Sequence, residues 1–376
     1  MNQTELTALH RAVARKLNQV DFSTLWPGFA PCPFALYNDE AVCMGEARLQ
    51  GETSFPWDSR FRGNTAIPYE NGFAAIWDVE RDFTGDGTEN TALLAANLVH
   101  EMFHAYQYGA GESRFPEDII TLDYPFSGEN FAAKWKENKL IAAAFQANTP
   151  AQGQETLARA CALRRQRAGL IGADMILCES LSETAEGMAE YAGTLALGQL
   201  DPDSAQRRVE EYAAKLLNLS PLLFDIRRIS YFSGALLLLA AHRAGIDFAH
   251  DISREKVPVF DLLAEKLPLM PEEPLPEPEE ALLTGMEAAM ALRRRETEDF
   301  LAQNPPKTEG DFAITGYDPM NMRKIDGRIY CAHFVALTDQ RANATYTLAG
   351  PSVLVAEQGR PGRVKGYFYS GQEVIS

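Results

Sequence analysis

Apolar positions recur at helical spacing through residues 4–17, giving one hydrophobic face and predicting a short amphipathic helix. The period then shortens. Segments 65–68 and 72–79 are rich in β-formers and flank Tyr69-Glu70-Asn71-Gly72, so residues 34–79 are expected to carry strands. From residue 92 to about 265 the helical period returns, with helices expected over 92–108, 129–147, 154–167 and 178–197. A further long apolar helix, 235–244, is opened by Ile229-Ser230-Tyr231-Phe232-Ser233-Gly234. Residues 267–280 hold five prolines and five glutamates, a composition that cannot pack a core and predicts an extended linker. A helix is expected over 281–303. Beyond Pro305-Pro306 the pattern becomes alternating and turn-rich, with strands expected at 312–315, 328–337, 344–348, 352–356 and 364–369. The chain is therefore expected to be α+β: a mainly helical core, a small N-terminal sheet and a small C-terminal antiparallel β module. The expected divisions are a main domain 1–266 with a helical insert 110–177, the linker 267–280, a helix 281–310 and the β module 311–376.

Inside the helix at 92–108 lies His100-Glu101-Met102-Phe103-His104. Histidines four apart stand one turn above the other on one helix face. That spacing lets two imidazoles ligate one small divalent ion, and zinc accepts imidazole nitrogen readily. Glu101 then lies beside the metal, where its carboxylate can take a proton from a metal-bound water. This is the HExxH pattern of zinc peptidases. With only six histidines in 376 residues, its chance occurrence on a helix is improbable. The plainer alternative is a core helix with two satisfied histidines, which would bury a glutamate and two imidazoles at considerable cost without a metal.

A third ligand is needed. On the helix at 178–197, Glu179, Glu183, Glu186 and Glu190 are spaced 4, 3 and 4 apart and share one face. Such a stripe is either solvated or compensated by a cation.

Glu186-Gly187-Met188-Ala189-Glu190-Tyr191 resembles the EGxAEY segment of gluzincin metallopeptidases, the HExxH zincins whose third ligand is a glutamate on a second helix. The resemblance covers about residues 72–245. It implies a zincin-like fold, Glu186 as third zinc ligand, and Glu183 and Glu190 as neighbours bonding the ligating histidines. It also implies that Gly187 allows close approach of two helices. The chain departs from compact aminopeptidase-like members in having 81 residues between His104 and Glu186. That insert must loop out and return, as a helical wall or lid, and Glu183 and Glu190 stay open as alternative ligands. Residues 229–234 are similar to the YxxG segment of several gluzincins, which implies Tyr231 as donor to the oxyanion. Packing at the head of a buried helix is its ordinary alternative. Arg227 and Arg228 suit either a substrate carboxylate or a solvated turn. Glu70-Asn71 matches two residues of the amine-binding segment of aminopeptidases, and a hairpin turn explains it equally well. Residues 82–87 mimic half a calcium loop, but Leu93 stands where a bidentate glutamate is required, so a turn is expected.

A net charge of −17 argues against nucleic-acid or anionic-membrane partners. Five scattered cysteines without a CxxC pair read as reduced thiols. With no basic, apolar leader and no apolar run of about 18 residues, a cytoplasmic protein is expected. The expected activity is zinc-dependent hydrolysis of a peptide or protein substrate, with His100, His104 and Glu186 on Zn2+, Glu101 as general base and Tyr231 as oxyanion donor. Two rivals have a basis in the sequence. A non-catalytic metal-binding scaffold would have no need of Glu101. A di-iron carboxylate protein needs Glu-x-x-His twice, and Asp247-Phe248-Ala249-His250 is the nearest second copy.

Overall fold

The computed structural model describes residues 1–47, 51–80, 88–371 and 374–375. The suggested half calcium loop at 82–87 lies outside the described residues.

The chain opens with α1 (Gln3–Leu17), started by a capping box between Asn2 and Glu5. Five short strands follow: β1 (Phe34–Tyr37), β2 (Ala41–Gly45), β3 (Glu52–Pro56), β4 (Thr65–Tyr69) and β5 (Gly72–Asp78). They form one sheet in the order β3-β2-β1-β5-β4, with β1 and β5 parallel and every other pair antiparallel. Period-two alternation sends Phe34, Leu36, Cys43, Ala75 and Trp77 toward the helices. Ala35, Tyr37, Val42, Ala74 and Ile76 point to the other face, which Trp57 and Phe61 cover. Glu70 takes the left-handed region (φ 49°) in the two-residue turn joining β4 to β5. The hairpin reading of Glu70-Asn71 is therefore the observed one. Among the described residues β4 is paired on one side only.

Eight helices follow: α2 (Thr88–Ala110), α3 (Asp118–Thr121), α4 (Gly128–Phe145), α5 (Pro150–Ile171), α6 (Ala173–Leu200), α7 (Pro202–Leu217), α8 (Ile226–Arg243) and α9 (Val259–Glu265). α2 packs against β5 and against α6, and α8 packs on α6 beside it, as do α5, α7 and α9. α6 is thus enclosed all round, which is why its apolar positions form no single stripe. The insert helices α4 and α5 pack on each other and on α8 within the main core. They build the core's floor rather than a lid.

Residues 270–279 have no regular structure and lead into α10 (Glu280–Leu301). The C-terminal strands are β6 (Lys307–Tyr317), β7 (Met322–Ile325), β8 (Arg328–Cys331), β9 (Phe334–Asp339), β10 (Thr345–Ala349), β11 (Ser352–Ala356), β12 (Arg363–Phe368) and β13 (Val374–Ile375). They form an antiparallel sheet in the order β13-β10-β9-β6-β12-β11-β8-β7, with its own core around Phe312, Leu337, Leu354 and Tyr367. The module has more strands than the tail's alternation suggests: the expected strand 328–337 breaks into β8 and β9, and half-exposed β7 was not anticipated. The chain is α+β, and among the described residues no helix is long and apolar enough to cross a membrane.

Candidate metal centre

α2 presents His100, Glu101 and His104 together, all at least nine-tenths buried. The helix ends where Gly111 turns left-handed (φ 76°), with Gly111 N donating to Tyr108 O and Glu112 N to Gln107 O. That is a Schellman stop, and it keeps Gln107 within the last turn beneath His104. Gln107 Nε2 donates to Ala185 O of α6 at 3.1 Å, which leaves its Oε1 to accept from His104 Nδ1 at 2.7 Å. His100 Nδ1 faces Glu190 Oε2 at 2.7 Å.

Each histidine therefore gives its Nδ1 proton to an acceptor, and a neutral ring turns a lone pair outward from Nε2. The two Nε2 atoms face one another at 3.0 Å. Glu186 Oε2 stands 3.3 Å from the Nε2 of His104 and 3.6 Å from that of His100. It is buried and, among the described residues, receives no hydrogen bond of standard geometry. With both rings neutral, three acceptors thus converge on one point, an arrangement that is repulsive unless a proton or a metal cation lies between them. Four-coordinate zinc with bonds of about 2.0–2.1 Å holds its ligand atoms roughly 3.3 Å apart, close to this triangle. A carboxylate oxygen of Glu101 lies within 4.8 Å of ring nitrogens of both histidines. These residues fit a zinc ion.

Burial opposes charge on His100, yet the neighbouring carboxylates of Glu186 and Glu190 outweigh it and raise its pKa to about 10. Burial likewise opposes the charge of Glu186, but Arg227 and the histidines keep it well below the usual carboxylate range. Burial lifts Glu101 above that range against the pull of both histidines. Around the rings, Arg227 pairs with Glu186 and Asp118, and Arg208 lies beside Glu190.

The neighbours come from five helices. Glu190 also accepts from Tyr212 of α7 and lies 4.0 Å from Arg208. Arg227 donates Nη2 to Glu186 Oε1 at 2.7 Å and turns Nε to Asp118 Oδ1 at 2.9 Å. Tyr231 stacks its ring parallel to His100 at 5.9 Å, with Arg227 over its other surroundings at 5.7 Å from the ring centre. Asp225 caps α8, so Tyr231 lies in the second turn and not at the helix head that the sequence suggests. Burial and the charge of Glu186 raise its hydroxyl well above the ordinary tyrosine range.

The glutamate stripe divides. Glu186 and Glu190 face the histidines, whereas Glu179 and Glu183 turn to Lys134, Arg164 and Arg167. Glu183, expected beside the histidines, instead binds Arg164 and Ser233. With Glu137 these make three carboxylates against three cations, all essentially inaccessible to solvent. The carboxylate oxygens lie close enough to hold a metal, but the lysine and both arginines already satisfy them. Arg228 lies apart, bonded to Met320 O at 2.8 Å. His250 is bonded to Arg114 and Phe248 and contributes nothing to the centre.

Sequence reasoning missed Gln107, Tyr212, Arg208 and Asp118. Gln107 alone had a local signal, standing three residues after His104 on the same helix face. Comparison with protein-family models, curated proteins and solved structures gives no match to this chain.

Proposed function

We propose that the chain is a zinc-dependent peptidase of the gluzincin type on a zincin-like fold, with His100, His104 and Glu186 as ligands. The observation that carries this is the convergence of three buried acceptor atoms, two Nε2 and Glu186 Oε2, with a carboxylate beside them. Bound there, zinc supplies Lewis acidity, polarising a peptide carbonyl and bringing the pKa of water at its open position toward ~7.

The chain's own residues do the rest. Glu101 takes a proton from the attacking water and passes it to the leaving amine, and its burial raises its affinity for that proton. Tyr231, kept protonated, donates to the oxyanion that develops in the transition state. Glu190 and Gln107 fix the tautomers of the two rings. The unpaired side of β4 supports binding of an extended peptide by strand addition. The strongly acidic composition favours peptide or protein substrates over nucleic acid or anionic membrane. Five free thiols fit a reducing cytoplasm.

The test is Glu101→Gln assayed against a peptide library. The variant should keep its zinc and lose about 10²–10⁴-fold in kcat. Equal cleavage by variant and wild type would remove Glu101 from the mechanism.

A further inference from the structure

We infer that the C-terminal β module is coupled to the metal centre through the Asp118–Arg227 ion pair, so that docking of the module sets how firmly Glu186 is held for zinc. The inference rests on the zinc reading above.

Glu186 has two oxygens with separate partners. Oε1 accepts from Arg227 Nη2 at 2.7 Å, which leaves Oε2 aimed at the histidines. Arg227 is itself held by Asp118 at 2.9 Å. Asp118 lies on α3, a single turn of four residues with no side-chain cap and no fully buried residue. Such a turn has little stability of its own, so its place is set from outside. The β module sets it. Ile119 within that turn and Leu122 just after it pack on the module's hydrophobic core. Asp123 pairs with Lys324 of β7 at 2.5 Å. The module also grips the first turn of α8, which carries Arg227: Arg228 Nη2 donates to Met320 O at 2.8 Å. Asp118 and Arg227 line a cavity of about 70 Å³ that Tyr317, Met322 and Lys324 of the module also line. Both elements that carry the ion pair are thus clamped by one sheet. Loosening that clamp frees Asp118, then Arg227, then the carboxylate. Asp118 and Arg227 are positioning residues here, acting through Glu186.

The test uses the full chain and reads zinc affinity by competition with a chromophoric chelator, with unfolding of the zinc-stripped protein measured alongside. Asp118→Asn should weaken zinc about 10–100-fold without moving the zinc-free unfolding curve, and Asp118→Glu should recover part of the loss. Lys324→Glu, a partly exposed change at the seam, should weaken zinc roughly 2–5-fold. Combined with Asp118→Asn it should add nothing, because both act along one route. Should Lys324→Glu prove too mild, Ile119→Ser cuts the same seam from its apolar side and should give the same non-additivity. Seam variants that bind zinc like wild type, or that add fully to Asp118→Asn, would overturn the coupling. Tight zinc in both wild type and Asp118→Asn would sink the coupling alone; no zinc in the wild type would sink the metallopeptidase reading with it.

Discussion

Between His100 and His104 the decisive feature is where the protons are. Glu190 and Gln107 each accept a hydrogen bond from an Nδ1, so both Nε2 atoms turn toward Glu186 Oε2, where either a proton or a metal cation can lie between them. Gln107→Leu removes the acceptor for His104 and should weaken zinc about 10–100-fold, read by chelator competition, while the helix itself is retained. Unchanged affinity would mean that Gln107 does not orient the ring. The raised pKa of His100, about 10, has a second consequence. At neutral pH zinc must displace a proton held in the site, so binding should release close to one proton and weaken about tenfold per unit as pH falls. Titration calorimetry in buffers of different ionisation enthalpy measures that proton directly; none released would contradict the protonation described. The HExxH motif and the EGxAEY-like segment are local patterns on single helices, so five of the central residues could be named from sequence. Tyr212, Arg208 and Asp118 could not. They arrive from helices distant along the chain, and nothing in their own surroundings distinguishes them from solvated side chains.

At the scale of elements, two glycine contacts set the distances between the site's helices. A Cβ on Gly187 would meet the Gly234 backbone at 2.7 Å, and one on Gly193 would meet Ala96 O at 2.8 Å. The close approach that the sequence attached to Gly187 is therefore between α6 and α8; Gly193 provides the one between α6 and the HExxH helix α2. Gly234→Ala should destabilise the protein by about 1–3 kcal/mol through overpacking. Gly169→Ala, on an exposed face of α5 with open space around it, should instead stabilise by about 0.5–1 kcal/mol. Urea unfolding of the pair distinguishes a crossing constraint from general helix propensity: two stabilising substitutions would refute the crossing. α4 and α5, opened by the capping Ser127 and Thr149, were legible to within four residues, whereas the amphipathic α7, capped by Asp201, was not singled out within the expected helical region. The packing of α6 was not legible either, because a helix buried all round has no amphipathic stripe to read. Nor was β7, whose short half-exposed sequence carries little alternation.

Across the whole molecule, six charged side chains occupy the interior beside the candidate metal centre. Burial opposes the charge of Glu137, but Arg164, Lys134 and Arg167 outweigh it and hold its pKa at about 2. A carboxyl depressed on folding contributes stability that is fully present above its unfolded pKa of about 4.5 and is lost as pH falls toward 2. Acid unfolding is expected in that window, followed by circular dichroism. Glu137→Gln leaves three buried cations facing only two carboxylates and should destabilise by about 3–5 kcal/mol in urea. A change below about 1 kcal/mol would mean that the cluster is not a structural keystone. The same cluster turns Glu179 and Glu183 away from the histidines, with their charges already matched by Lys134, Arg164 and Arg167.

The most direct measurement is the zinc content of the purified chain, determined by elemental analysis beside His104→Ala and Glu186→Ala. A three-ligand site predicts close to one zinc per chain in the wild type and loss in both variants. Zinc kept by Glu186→Ala, or no zinc in the wild type even after it is supplied, would contradict it.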